Sequence, residues 1–164
     1  MTREDKELLL KDLCARLHTC NCMNGTALIV ALTDEQPLES NQWLISNYDC
    51  YKDKFIVFNI VYASDVERLV DIDNIKPYLF PLSSITEEQS MELFKLFGIN
   101  LVDSIGADYI KINECTGITF FLNKGFDVET HLDKLIDWLN KNHFDYRGLI
   151  EKGLAIDATG KNIY

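Results

Sequence analysis

The stretch from Asp127 to Tyr164 constrains this chain more than any other. It opens as an amphipathic helix. Val128, Leu132, Leu135, Ile136 and Leu139 recur at helical spacing, Trp138 widens the stripe, and Asp127 stands as cap. The turn HFDYRG follows, then the tail LIEKGLAIDATGKNIY. A terminus that docks on nothing is polar and frayed. This one carries Phe144, Tyr146, Leu149, Ile150, Leu154, Ile156, Ile163 and Tyr164. The pattern therefore predicts a tail folded back onto the body.

The rest of the chain supplies that body. Thr2 with Asp5 has the spacing of a helix cap, and Leu9, Leu10, Leu13 and Leu17 form one helical face, with Asp12 away from it. Asn24-Gly25 signals a turn. The period then shortens. Residues 26–32, 43–48, 54–63 and 66–73 read as strands, the last with an ambiguous period. In residues 54–63 both faces are largely apolar, which predicts burial on both sides. Four short strands suggest an antiparallel meander, or a small half-open barrel. Pro77 and Pro81 make IKPYLFPL an extended connector or an edge. Ser84 with Glu87 reads as the cap of a second helix, whose Met91, Leu93, Phe94, Leu96 and Phe97 call for burial. Residues 106–112 and 118–122 read as a hairpin. The fold class expected is α+β, as one domain over residues 1–164, with an alternative division at 1–82 and 83–164.

The 164 residues include 16 basic and 26 acidic ones, for a net charge of −10. That sign disfavours a phosphate backbone, so direct DNA or RNA binding is not expected. Solubility is the simplest reading of the acidity, and a basic protein partner the sharper one. A variant of the latter is an acidic inhibitor that imitates nucleic acid. The five cysteines cannot all pair within one chain, and the start reads as lacking a signal peptide. No run approaches a membrane span, so reduced thiols in a cytoplasm are expected.

Chemistry has few footholds. Cys14, His18, Cys20 and Cys22 are the tightest cluster of metal-ligating residues, and zinc is the ion such ligands would take. The spacing fits zinc patterns poorly, and reduced thiols near a helix end are the simpler reading. A metal-binding or enzymatic domain built on this cluster is retained as an alternative. His131 and His143 could serve a thiol nucleophile only if the fold brings Cys50 or Cys115 beside them. His143 follows a helix C-terminus, where the dipole favours its charged form. Gly160-Lys161 fails the spacing of a phosphate loop, and the acidic run at Asp71 lacks the glycine and glutamate of a calcium loop. No catalytic residue and no cofactor is assigned. In HFDYRG, Phe144, Tyr146 and Arg147 are candidate partner-binding residues, since Tyr and Arg are enriched at interface hot spots. The competing reading packs the aromatics onto the preceding helix and pairs Arg147 with an acid.

The opening MTREDKELLLKDLCARL, the connector KPYLFPLSSITEEQ and the tail NHFDYRGLIEKGLAIDATGKNIY resemble a family of small uncharacterised proteins encoded by phages and integrated elements of gut Bacteroidales. The resemblance implies a phage or mobile-element accessory protein and names no mechanism. Taken together, the expected role is non-enzymatic, acting by protein–protein interaction.

Overall fold

The first helix begins where its cap predicts. The Asp5 N–H donates to Thr2 Oγ1 at 3.1 Å, and the Thr2 hydroxyl donates back to Asp5 Oδ2 at 2.7 Å. Helix α1 then runs Arg3–Thr19. Leu9 and Leu13 are fully buried on its inner face, with Leu10 and Leu17 half-buried beside them. The computed structural model describes residues 1–19, 27–33, 42–59, 67–96, 110–113, 117–120 and 132–164. Asn24-Gly25 and the Asp127 cap lie outside them.

Strands β1 (Ile29–Leu32), β2 (Trp43–Asp49), β3 (Lys54–Asn59) and β4 (Glu67–Val70) form the expected antiparallel meander. A short 3₁₀ turn, Ile72–Asn74, follows β4. This accounts for the mixed period of that stretch, since strand and turn share it. Strand β5 (Ile75–Pro81) then returns to pair with β1, giving the order β4-β3-β2-β1-β5. The fold is α+β. No ladder among the described residues closes the sheet into a barrel.

The proline-bearing connector is thus a strand with partners on both sides, not an edge. It pairs antiparallel with β1 and parallel with β8 (Phe144–Asp145) and β9 (Ile156–Asp157). The register explains why proline is tolerated. The Thr33 N–H donates to the Asn74 carbonyl at 2.9 Å, which puts the hydrogen-bonded rungs on Asn74 and Lys76. Pro77 faces Val30 between rungs, where its missing N–H costs the β1 ladder nothing.

A second 3₁₀ turn, Leu82–Ser84, leads into helix α2 (Glu87–Leu96). Its cap lies two residues past the expected Ser84. Thr86 and Gln89 close a reciprocal box: the Gln89 N–H donates to Thr86 Oγ1 at 3.3 Å, and the Thr86 N–H donates to Gln89 Oε1 at 3.0 Å. Ser84 instead donates its hydroxyl to the Pro81 carbonyl. Leu93 is buried on this helix, but Met91 is exposed. Strands β6 (Ile110–Asn113) and β7 (Gly117–Phe120) pair antiparallel as the expected hairpin. Helix α3 (Leu132–Lys141) buries Leu135, Trp138 and Leu139.

Two apolar clusters hold these elements. The larger joins α1 and the inner sheet face to Leu149, Leu154 and Ala155 of the tail. The smaller gathers Leu93, Leu135, Trp138, Leu139 and Phe144, with Phe80 and Leu82 packed against it. Both clusters draw on residues from either side of position 82.

Candidate functional site

The aromatic-basic turn after α3 is where both ends of the chain meet. His143, two residues past the end of α3, takes φ +59°, the left-handed conformation that ends many helices. The chain reverses there and Phe144 stacks on Trp138, with ring centroids 5.5 Å apart and planes 11° from parallel. Asp145 is buried and its carboxylate organises the next turn. Its Oδ1 accepts from the Arg147 and Leu149 N–H groups at 3.3 and 2.9 Å, and its Oδ2 accepts from Ile150 at 2.7 Å. Gly148 follows at φ +71°.

Beneath this turn lies a buried charge cluster. Asp12 and Arg16, one helical turn apart on α1, are both fully buried. Arg16 Nε donates to Asp12 Oδ2 at 2.6 Å, and its Nη2 donates to Asp12 Oδ1 at 3.2 Å and to the Phe144 carbonyl at 2.8 Å. Arg147 Nε stands 3.1 Å from Asp12 Oδ1, an ion pair whose N–H is not aligned on the oxygen. Its Nη2 donates to the Tyr146 hydroxyl at 3.0 Å. Both guanidiniums lie over the Tyr146 ring, at 5.7 Å for Arg16 and 4.8 Å for Arg147. One carboxylate so serves two arginines contributed by opposite ends of the sequence. Removing one member of such a buried group costs about 3–5 kcal/mol, because the remaining charge is left unpaired.

This arrangement decides what the turn can offer. Phe144 is 1% exposed and has no surface for a partner. Tyr146 and Arg147 are half-buried and engaged with α1. The dipole at the end of α3 does not decide the charge of His143. Burial, with the Arg16 charge adding to it, holds its pKa down at about 3. Desolvation outweighs the helix dipole at this depth.

Of the metal candidates, Cys14 is half-buried against the core and His18 is exposed. Burial pushes the Cys14 thiol up, which disfavours a thiolate ligand. Cys20 and Cys22 lie outside the described residues, as do Cys115 and His131. No group of three or more His, Cys, Asp or Glu side chains among the described residues could hold a metal ion.

A different surface emerges on the sheet. Register places Ile29 beside Leu44, Leu44 beside Phe58, and Ile56 beside Leu69. All lie on the face turned away from Trp43, Ile45, Phe55, Val57 and Val70, which pack in the main cluster. The outer face of an antiparallel sheet is ordinarily polar where it meets water. Here apolar residues adjoin on all four strands, bordered in register by Asn47 beside Ile56 and Glu67 beside Phe58, and their exposure grows outward. Ile29 is buried, Leu44, Ile56 and Phe58 are half-buried, and Leu69 on β4 is 37% exposed. The doubly apolar pattern of residues 54–63 was the signal for this face, although the burial it implies is only partial there.

No described helix is long and apolar enough to cross a membrane. No protein-family model, curated protein or solved structure matches the chain.

Proposed function

We propose that this chain is a non-enzymatic accessory protein that binds another protein through the outer face of β2–β4. The observation that carries the reading is the pair of apolar cross-strand contacts Leu44–Phe58 and Ile56–Leu69, adjacent on the outer face and reaching solvent at Leu69. Apolar surface reaching solvent in register is a feature of interaction sites. The net charge of −10 favours a partner whose rim is basic. The resemblance of both ends and the connector to phage and integrated-element proteins supports an accessory role in a bacterial cytoplasm. The acidic-mimic variant has less support. It needs acids massed without lysines, whereas Asp49, Asp71 and Asp73 pair with Lys52, Lys54 and Lys6.

The test is site-specific photo-cross-linking in the cells of origin, with the reactive residue at position 69 or, as control, at the exposed position 151. The expected result is one protein adduct from position 69 that position 151 does not give. Ile56→Lys, made beside the reactive residue at position 69 that it pairs with in register, should abolish it while the far-ultraviolet circular dichroism of the chain is unchanged. Equal adducts from both positions, or an adduct from position 69 that survives Ile56→Lys in the folded chain, would end this reading.

A further inference from the structure

The side chain of Tyr164 is held in a way that ordinary packing does not require. Its ring stacks on His143, with centroids 3.9 Å apart and planes 10° from parallel. Phe80 tilts against it at 5.8 Å and 51°. Its hydroxyl reaches between two strands. It donates to the Tyr78 carbonyl of β5 at 2.8 Å and accepts from the Ile29 N–H of β1 at 3.4 Å. The β1–β5 register pairs Val30 with Pro77, so the next residues in line are Ile29 and Tyr78. The phenol oxygen sits where the two strands would share a rung.

We infer that His143, Phe80, Ile29 and Tyr78 form a phenol-binding slot, filled by the chain's own Tyr164 and open to a phenol presented by another molecule. Three features support recognition rather than incidental contact. The slot has an aromatic wall, an aromatic edge, and at its end a backbone acceptor with a nearby backbone donor. A site built to pair with a hydroxyl discriminates strongly against the ring that lacks it, because its own polar groups are then left unmatched. The donor and acceptor belong to sheet strands and His143 is fixed by the end of α3, so the slot is set before its occupant arrives. His143 is neutral at this depth, so an apolar ring stacks on it without displacing the water of a cation.

The occupant is also placed to leave. Tyr164 is 43% exposed. The last ladder bond of the tail runs from the Ala158 N–H to the Leu79 carbonyl. Beyond it the backbone bonds are local, from Lys161 to Ala158 and from Ile163 to Lys161, and residues 159–162 are exposed. Displacing the ring therefore need not disturb β9.

The experiment uses the full chain with Tyr164→Ala, titrated with p-cresol and read by the His143 ring-proton resonances and the thermal midpoint. The expected result is a saturable upfield shift at His143 and a rise in midpoint, with 4-methylanisole, which lacks the donor, at least tenfold weaker. Wild type should need at least tenfold more p-cresol, since Tyr164 competes for the slot. Tyr164→Phe should fall between the two, and it carries the test alone if Tyr164→Ala does not fold. N-acetyltyrosinamide separates the sources. Binding alongside p-cresol assigns the slot to a tyrosine side chain, and p-cresol binding alone assigns it to small phenols. No shift at His143, equal binding of 4-methylanisole, or equal affinity in wild type and variants would overturn the inference.

Discussion

His143 shows how much a single residue's surroundings can change its chemistry. At the end of a solvated helix an imidazole gains from the dipole, but here the ring is 5% exposed and pressed against Tyr164. Its folded pKa of about 3 lies well below the ordinary histidine value of about 6.5. Between those two values the unfolded chain binds a proton that the folded chain refuses. Stability from this residue is therefore complete above about pH 6.5 and falls as pH drops, by about 1.4 kcal/mol per unit. At pH 5 the loss should be about 2 kcal/mol. Urea midpoints at pH 7 and pH 5 check this against His143→Asn, since Asn also accepts left-handed backbone. The variant should lose one proton's worth of pH dependence. An unchanged slope would mean that other groups govern the acid limb.

Among the elements, α2 and β5 show local rules applied at shifted positions. Ser84 and Thr86 both have a hydroxyl in reach of a helix start, and each has a Glu or Gln three residues on. Thr86 caps because the 3₁₀ turn at Leu82–Ser84 occupies the earlier position. Thr86→Ala should cost about 1 kcal/mol. Ser84→Ala should leave the exchange of the α2 first-turn amides unchanged. Denaturant midpoints and amide exchange separate the two, and the reverse ranking would place the cap at Ser84. In β5 the general aversion of sheets to proline misled the reading. What decides tolerance is which side of the ladder the ring nitrogen faces, and that depends on a register set by β1.

At the scale of the whole molecule, the two ends of the chain are joined through Asp12. The carboxylate holds Arg16 beside it and Arg147 from the tail, while Arg16 also reaches the Phe144 carbonyl. Leu149 and Leu154 fill the same cluster as Leu9 and Leu13. Burying each leucine contributes about 1.5–3 kcal/mol, set against about 1–2 kcal/mol per ordered backbone residue, so polar ties must share in holding the tail. Asp12→Asn should cost about 3–5 kcal/mol. The loss should appear at both ends, with faster exchange of the Leu149 and Leu154 amides as well as those of α1. Hydrogen exchange by mass spectrometry reads this directly, and a change confined to α1 would show that the ends fold independently.

The amino-acid sequence by itself determined the elements whose signals are local. The Thr2–Asp5 cap, the meander, the hairpin, the apolar stripe of α3 and the α+β class all follow from spacing and turn chemistry within a few residues. So did the docking of the tail, since its apolar content had to be buried somewhere. Only the tertiary structure decided where Asp12 would lie. On α1 it sits off the leucine face and reads as a surface acid. It is buried because its second arginine arrives from far along the chain. The same holds for the double-sided pairing of β5, the neutrality of His143 and the strand-bridging hydroxyl of Tyr164. Each depends on a partner that local spacing cannot bring near, and the energy of a buried polar group is set by that partner.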